Sequence, residues 1–334
     1  MATLDFALWD GIGAGEAGDR PMADVYDEHV RLAERIEQLG WHSYFTIEHQ
    51  SSPVGLITAP TVFLTAVARA TSNLRIGAMM WQLPFYHPIR LAEEVAMLDH
   101  LSRGRVEFGT GIGVHEHEFI RWGVDYYQRA AISGEVLDIV KMAWTQDEVT
   151  YEGKYFHFDE ALPQPKPFQQ PYPPIWAAVH SEASLEFAAK NNYNVSQNLD
   201  ADDAIATKFD YYRKVWRECN HPGPMPRTFL MRSVHVAKTD EQAHAQARQF
   251  VGPIGSEVGG GPIARTRIGW GTHARGMGRD SERPDDKARG QTIAQAATNY
   301  EFNIDSGLAV VGSPETVIRK LQDGQRKMGY DLFC

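Results

Sequence analysis

The sequence predicts a parallel α/β fold, and most specifically a closed (β/α)8 TIM barrel that carries insertions. Short runs rich in β-branched and aromatic residues alternate with amphipathic helical stretches along the 334 residues. Eight strand-like runs separated by helices favour a closed barrel over an open sheet, and chains of this length often form a single barrel. We therefore expect residues 1–334 to form one domain.

The strands and helices are predicted from the spacing of apolar residues. A first helix over 24–39 has Val25, Leu32, Ile36 and Leu39 on one face and Gly40 after its end. A second helix covers 58–70. A third begins at Pro88, carries a stripe of Leu91, Val95, Leu98 and Leu101, and ends before Gly104. The predicted strands are 4–9, 43–47, 74–81, 105–109, 173–179, 194–199, 228–237 and 330–334.

Two segments interrupt this alternation. Residues 149–158, "VTYEGKYFHF", alternate around a glycine and predict an inserted β-hairpin. Residues 252–290 are rich in Gly, Arg and Pro and lack apolar periodicity, which predicts a long mobile insertion loop. The chain stops at Cys334 on the eighth strand, so we expect the last helix of the barrel to be absent from it.

The bulk composition excludes several classes of function. A formal charge of −10 argues against a nucleic-acid or anionic membrane surface, because phosphate binding needs clustered Lys and Arg. Only Cys219 and Cys334 are present, too few for a disulfide framework or a thiolate metal site. No apolar run is long enough to span a bilayer, and the first residues lack the basic start of a secretory signal. We expect a soluble cytoplasmic protein.

The stretch "GRVEFGTGIGVHEHEF" offers three interpretations. Its glycines, Gly109, Gly111 and Gly113, follow a fourth strand with a spacing that differs from the dinucleotide fingerprint. His115 and His117 could ligate a metal, but His and Glu at a helix start are more often solvated or capping groups, so we expect no metal site. The remaining interpretation is that the glycines let the backbone pass close to a flat ligand at the rim of a barrel.

Several segments together resemble the bacterial luciferase-like family of flavin-dependent monooxygenases. The most specific is "LPFYHPIRLAEEVAMLDHLSRGRVEFGTGIG", residues 83–113. The segments "IEHQ", "PPIWAAVHSEAS" and "VVGSPETVIRKL" occur in the order of that family. The resemblance implies a TIM barrel with its active site at the carboxyl ends of the strands.

The resemblance also implies an activity. Reduced FMN, delivered by a separate flavin reductase, reacts with O2 in this family to give a flavin hydroperoxide, which hydroxylates a small organic substrate or oxidises it by Baeyer–Villiger insertion. The protein positions the cofactor, excludes water and contributes a few polar groups. The family also implies a homodimer packed through the early helices, and the small residues Ala59, Ala66 and Ala70 are compatible with close helix approach, although the same face could pack on the barrel.

Residue by residue, Glu48-His49 matches the Glu-His pair of the family, which makes His49 the catalytic imidazole near the flavin. The alternative for His49 is a structural His bonded to a carbonyl, and Glu48 is expected to orient the loop or contact a neighbouring helix. Met79-Met80 falls where family members carry a non-proline cis peptide beneath the flavin ring. Two ordinary core methionines are the alternative there. Gly109 and Gly111 are expected to border the same ring.

"VHSEAS" matches the turn that holds the FMN phosphate, which assigns Val179, His180, Ser181 and Ser184 to cofactor binding. The alternative is a serine N-cap with an acid in the first turn. His180 replaces a Glu of the family pattern, and Ile112 stands where luciferase has a phosphate-binding Arg. We therefore expect another arginine to compensate, with Arg265, Arg267 and Arg275 as the candidates.

The substrate pocket is the least specified part of the prediction. Residues at predicted strand ends that could border it are Trp9, Trp81, Phe85 and Arg232, although aromatic residues there are equally expected in packing. Two other functions stay open for this superfamily. One is a deazaflavin-dependent oxidoreductase that uses no O2, and the other is a flavin-binding protein without turnover.

Overall fold

Eight parallel strands close into a barrel, and the predicted fold class is confirmed. The computed structural model describes residues 4–13, 18–52, 55–251 and 284–334. Each barrel strand lies beside the preceding and the following barrel strand of the chain, as β-α-β connections produce. In chain order the described strands are β1 (Asp5–Asp10), β2 (Ser43–Thr46), β3 (Arg75–Gln82), β4 (Val106–Gly111), β5 (Val149–Glu152), β6 (His157–Ala161), β7 (Ile175–Ala178), β8 (Asn194–Gln197), β9 (Thr228–Leu230), β10 (Ser233–Val236), β11 (Ala309–Gly312) and β12 (Leu332–Phe333). Strands β5, β6, β10 and β11 lie outside the barrel.

Helices follow most of the barrel strands. Within the described ranges, no helix has an apolar stretch long enough to cross a bilayer. The described helices are α1 (Met22–Gln38), α2 (Pro60–Ala70), α3 (Pro88–Ser102), α4 (Glu116–Trp122), α5 (Arg129–Thr145), α6 (Glu182–Lys190), α7 (Asp202–Glu218), α8 (Asp240–Ala247), α9 (Pro284–Ala296), α10 (Tyr300–Asp305) and α11 (Pro314–Met328).

The chain divides into two compact units. The N-terminal unit is Ala7–Trp176, and the C-terminal unit is Ala177–Cys334 together with Met1–Phe6.

Helix α3 of the N-terminal unit begins and ends as its sequence predicts. Pro88 occupies the first position, where its missing N–H would have no helical partner. The helix ends at Arg103, which is left-handed at φ 58°, and Gly104 follows at φ 83°. Leu91, Val95 and Leu98 are buried as predicted, whereas Leu101 is 41% exposed, so the predicted stripe is one residue too long.

The buried face of α1 differs from the prediction. Leu32 and Leu39 are 37% and 57% exposed, and His29 and Ala33 are buried in their place. A polar contact explains the difference, because Nδ1 of His29 lies 2.6 Å from Oδ2 of Asp10 at the end of β1. A buried polar contact therefore accompanies the rotation of the helix, which apolar spacing alone could not predict.

The predicted hairpin forms a two-stranded sheet separate from the barrel sheet. Strands β5 and β6 pair antiparallel, and the carboxylate of Glu135 on α5 accepts the backbone amides of Lys154, Tyr155 and Phe156 in the connecting turn. Most of the predicted insertion loop, residues 252–283, lies outside the described residues. Its last part is not loop, because α9 already begins at Pro284.

The predicted seventh strand is divided in the C-terminal unit. Only β9 belongs to the barrel, whereas β10 pairs in parallel with β11 in a separate two-stranded sheet. The break lies at Arg232, whose side chain is buried and donates to Asp202 Oδ1 at 2.8 Å and to the Asp200 carbonyl at 2.9 Å. Because a buried guanidinium needs these partners, the chain leaves the barrel at this residue.

Strands β3 and β4 approach each other closely at one glycine. The register shifts between Ala78 and Trp81, so that Met79 and Met80 together lie opposite Gly109. A Cβ atom on Gly109 would contact the Ala78 carbonyl oxygen and would lie 2.9 Å from the Met80 sulfur. Glycine is therefore required at this position by strand packing.

We expect Gly109→Ala to destabilise the protein by about 3 kcal/mol or to prevent folding, because the backbone carbonyl of Ala78 cannot move aside. The measurement is urea unfolding followed by circular dichroism. Gly134→Ala is the matched control, since a Cβ atom there meets nothing within 4 Å. In the interior of α5 it should stabilise by up to about 1 kcal/mol. Equal effects of the two substitutions would contradict the packing argument.

Candidate active site

The candidate site lies at the carboxyl ends of β1 to β4 in the N-terminal unit. The register places Asp10, Thr46, Ala78 and Phe108 level with one another, so the residues that follow them share one rim of the barrel. His49, Met79 and Gly111 all lie beyond that level. Barrel enzymes place their chemistry at this end of the strands.

His49 is held by a carboxylate of helix α4. Its side chain is 12% exposed, and its Nδ1 lies 2.9 Å from Oε1 of Glu118 on α4. The same oxygen accepts the backbone amide of Gln50 at 3.3 Å. The alternative of a structural His bonded to a backbone carbonyl does not match this contact. The catalytic role of His49 stays a prediction.

Glu48 lies in a buried network on the other side of the same loop. Its carboxylate accepts the Gln82 amide at 2.7 Å, the Tyr86 hydroxyl at 2.8 Å and the Gln50 side-chain amide at 2.6 Å. Burial raises the pKa of Glu48 to about 7, although these donors lower it, and the charge of Glu118 adds to the increase. Three hydrogen bonds thus hold Glu48 in the loop, and it releases its proton at a higher pH than an exposed Glu.

The His-Glu stretch of α4 is buried. The sequence favoured solvated or capping groups, yet His115, Glu116, His117 and Glu118 are all below a tenth exposed. The rings of His49 and His115 are 5.0 Å apart between centroids, and those of His115 and His117 are 5.3 Å apart and stacked. Among the described residues no three His, Cys, Asp or Glu side chains are grouped so that they could hold a metal ion.

The residues predicted to border the flavin ring are Met79, Met80, Gly109 and Gly111, and their contacts differ. The Met79–Met80 peptide bond is cis, as the resemblance predicts. The Trp9 indole donates to the Met79 carbonyl at 2.9 Å, which places Trp9 at the same rim. The Cβ positions of Gly109 and Gly111 point at the Met80 side chain, so strand packing already accounts for both glycines.

The aromatic residues assigned to the substrate pocket separate into two groups. Phe85 packs on Phe119 and Trp122 of α4, with centroid distances of 4.6 and 5.6 Å, and is only partly buried. Trp81 has no exposed surface and packs on Phe108 at 5.1 Å. Its surroundings match the packing alternative, and its assignment to the border of the substrate pocket stays a prediction.

The predicted phosphate turn in the C-terminal unit forms a helix cap. Ser181 is the N-cap of α6, and its hydroxyl accepts the Ser184 amide at 3.3 Å. The Ser184 hydroxyl accepts the amides of His180 and Ser181, both at 3.0 Å, while Val179 donates its amide to the Ser196 carbonyl. The N-cap alternative is thus realised, and the role of the turn in cofactor binding stays a prediction.

Basic groups lie near this turn. Burial lowers the pKa of His180 well below its usual range, and the positive charges of Arg289 and Lys208 lower it further. Arg289 on α9 is therefore a candidate for the cation that Ile112 does not supply, one that the sequence analysis missed. The candidates named there, Arg265, Arg267 and Arg275, lie outside the described residues.

Arg232 was assigned to the substrate, and the structure places its side chain in an ion pair within the C-terminal unit. Its guanidinium is 1% exposed and pairs with Asp202 in the first turn of α7. Burial lowers the pKa of Arg232, which the carboxylate of Asp202 partly offsets. These bonds hold the guanidinium at the end of β9, and a role of Arg232 in substrate binding stays a prediction.

Sequence reasoning missed the partners of the loop after β2. Glu118 and Gln50 bond to His49 and Glu48, and Arg121 and Trp122 of α4 donate to Ser51 at 2.8 and 3.2 Å. The available signal was the presence of "IEHQ" after β2 and of the Glu-rich "HEHEF" segment after β4, two strands that flank β3. That signal identifies the two loops but not which side chains meet.

The comparison with known protein families identifies the family of this chain. The profile described as luciferase-like monooxygenase matches residues 4–332, nearly the whole chain. The chain belongs to the luciferase-like monooxygenase family. The resemblance predicted from the sequence is confirmed.

The relatives of this chain include a named oxygenase. The oxygenase component of flavin-dependent trigonelline monooxygenase from Acinetobacter baylyi is 30% identical over 229 residues, which cover 68% of this chain and 63% of that protein. The chain spans about three fifths of the length of the curated relatives it matches.

Solved structures share the fold of this luciferase-like chain. The oxygenating constituent of 3,6-diketocamphane monooxygenase from Pseudomonas putida, in complex with FMN, has a TM-score of 0.77 at 22% identity and covers 100% of this chain and 91% of its own. An F420-dependent secondary alcohol dehydrogenase has a TM-score of 0.71 at 16% identity, covering 99% and 92%. At such identities these likenesses show the fold alone.

The raised pKa of Glu48 predicts a pH-dependent stability. The folded protein binds this proton more tightly than the unfolded chain, so the stabilising contribution is complete below pH 4.5 and is lost as the pH rises through about 7. Glu48→Gln should remove up to about 3 kcal/mol of this decrease between pH 5 and pH 8. Urea unfolding at both pH values measures it. Exposed Glu148→Gln is the control, and equal pH slopes in Glu48→Gln and the unsubstituted protein would contradict the argument.

Proposed function

We propose that this protein is the oxygenase component of a two-component monooxygenase that uses reduced FMN and O2 to oxygenate a small organic compound. The observation that carries the proposal is His49, nearly buried at the carboxyl end of β2 and bonded to Glu118 at 2.9 Å. An imidazole fixed at the catalytic rim of a barrel is suited to moving a proton during oxygen chemistry. The trigonelline relative supports the oxygenase role by its name.

The residues present fit a flavin in two respects, each within one unit. In the N-terminal unit, Trp9 and the partly exposed Met80 offer a flat, largely apolar surface at the rim. In the C-terminal unit, the first turn of α6 presents amides to an anion, and Nδ1 of His180 is buried without a hydrogen-bond partner among the described residues. The basic groups Arg289 and Lys208 favour a phosphate there.

The chemistry divides between cofactor and protein. When bound, reduced FMN supplies the two electrons that let one oxygen atom of O2 enter the substrate while the other leaves as water. The apolar rim excludes water, and His49 exchanges a proton through the ring nitrogen that does not face Glu118. Hydroxylation and Baeyer–Villiger insertion share this balance. A separate flavin reductase would supply the reduced cofactor.

The proposal predicts tight binding of reduced FMN and incorporation of one atom of ¹⁸O from ¹⁸O2 into product. Anaerobic titration measures the first, and mass spectrometry measures the second with trigonelline, a monoterpene and a bicyclic ketone as probes. His49→Gln should lower the oxygenation rate about a hundredfold with unchanged flavin affinity, because only proton transfer is lost. Exposed His157→Gln is the control.

Other outcomes of the same experiments would replace the proposal. Hydride transfer with the deazaflavin F420 in the absence of O2 would identify an oxidoreductase of the F420-dependent type. Tight flavin binding without oxidation of any probe would indicate a flavin-binding protein without turnover.

We also propose that the protein forms a homodimer through α2 and α3. Val62 and Met97 are 73% and 54% exposed, and the exposed Ala59 and Ala66 lie on the same side of α2 as Val62. Small and apolar residues on one helix face allow two copies to pack closely about a two-fold axis. A second copy of the chain is the occupant we propose for this surface.

Val62→Lys should convert the dimer into a monomer, because two lysines would be brought together in an apolar interface. Sedimentation velocity at several concentrations measures the change. Exposed Val236→Lys, on β10, is the matched control and should leave the mass unchanged. A monomeric unsubstituted protein would contradict the proposal.

A further inference from the structure

His49 has two ring nitrogens, and the structure distinguishes them. Nδ1 lies 2.9 Å from Oε1 of Glu118, whose side chain has no exposed surface. That oxygen already accepts the backbone N–H of Gln50 at 3.3 Å. It therefore acts as an acceptor toward its neighbours, and the matching arrangement for the imidazole is a proton on Nδ1.

Glu118 is itself held in place by its helix. Its amide donates to the His115 carbonyl at 2.9 Å in the first turn of α4. At the other end of α4, Arg121 donates to the Ser51 carbonyl at 2.8 Å and the Trp122 indole donates to the Ser51 hydroxyl at 3.2 Å. Three consecutive loop residues, 49 to 51, are thus bonded to one short helix, which leaves the carboxylate little freedom to turn away.

The other ionisable groups around His49 do not make this contact. The Glu48 carboxylate bonds to Gln50, Gln82 and Tyr86. The His115 ring lies beside His49, with 5.0 Å between the ring centroids and an angle of 38° between the ring planes. The carboxylate that contacts the imidazole nitrogen is that of Glu118.

We propose that Glu118 is a positioning residue that keeps the proton of neutral His49 on Nδ1 and so presents Nε2 to the reaction as a proton acceptor. The role in the reaction rests on the proposed function, whereas the tautomer itself does not. A carboxylate that orients a working imidazole fixes both its ring angle and its protonated nitrogen. Without it the ring would exchange tautomers and rotate.

The test is ¹⁵N NMR of the flavin-free full-length protein labelled at histidine, with His49 assigned by loss of its signals in His49→Gln. We expect the Nδ1–H tautomer in the unsubstituted protein and in Glu118→Gln, where the amide oxygen still accepts. Glu118→Ala should show a mixture of tautomers. Glu116→Ala, in the same helical turn, is the matched control and should keep Nδ1–H.

Turnover supplies an independent measure. Glu118→Ala should lower kcat about tenfold or more with less than a twofold change in the Kd for reduced FMN, and Glu118→Gln should recover most of the loss. An Nε2–H tautomer in the unsubstituted protein would overturn the inference, and so would a Glu118→Ala spectrum that is unchanged. If Glu118→Ala does not fold, the tautomer of the unsubstituted protein alone decides. Failure to oxygenate any probe would remove the proposed function and leave the tautomer result standing.

Discussion

The arrangement of the candidate site depends on the buried bond between His49 and Glu118. Loops at the rim of a barrel have few backbone partners, so side-chain bonds must hold them in one conformation. This bond joins the loop after β2 to the helix after β4, and the next two loop residues, Gln50 and Ser51, bond to the same helix. Removing it would release the loop that carries the imidazole as well as the imidazole itself.

Two carboxyl groups lie close in this loop cluster and have different surroundings. Glu48 is bonded to three donors, yet burial and the charge of Glu118 raise its pKa to about 7. Glu118 faces the imidazole. Like charges in a buried site disfavour each other, so the proximity of Glu118 raises the pKa of Glu48. Glu118, in contrast, contacts the imidazole of His49.

The barrel was predictable from the sequence because its determinants are local. Apolar spacing and the stop at Gly104 specify α3, and strand runs between helices specify the strand order. The deviations come from polar contacts between residues far apart in the chain. The Asp10–His29 pair rotates α1, and the Arg232–Asp202 pair divides the seventh strand.

The candidate site was predictable only through the resemblance, which pointed to the position of His49 and the Met79–Met80 peptide. The resemblance did not identify Glu118, which lies 69 residues from His49 and follows no periodic pattern. Nor could local pattern show that the His-Glu stretch of α4 is buried, because burial of charged groups depends on partners that only the folded chain brings together.

The cap of α6 has a consequence for how an anion would enter the C-terminal unit. The amides of His180, Ser181 and Ser184 are satisfied by two serine hydroxyls, not by backbone carbonyls. A hydroxyl can turn about one side-chain torsion, whereas a carbonyl moves only with the main chain. An incoming oxyanion could therefore take over these donors through the rotation of two side chains, without any refolding of the backbone.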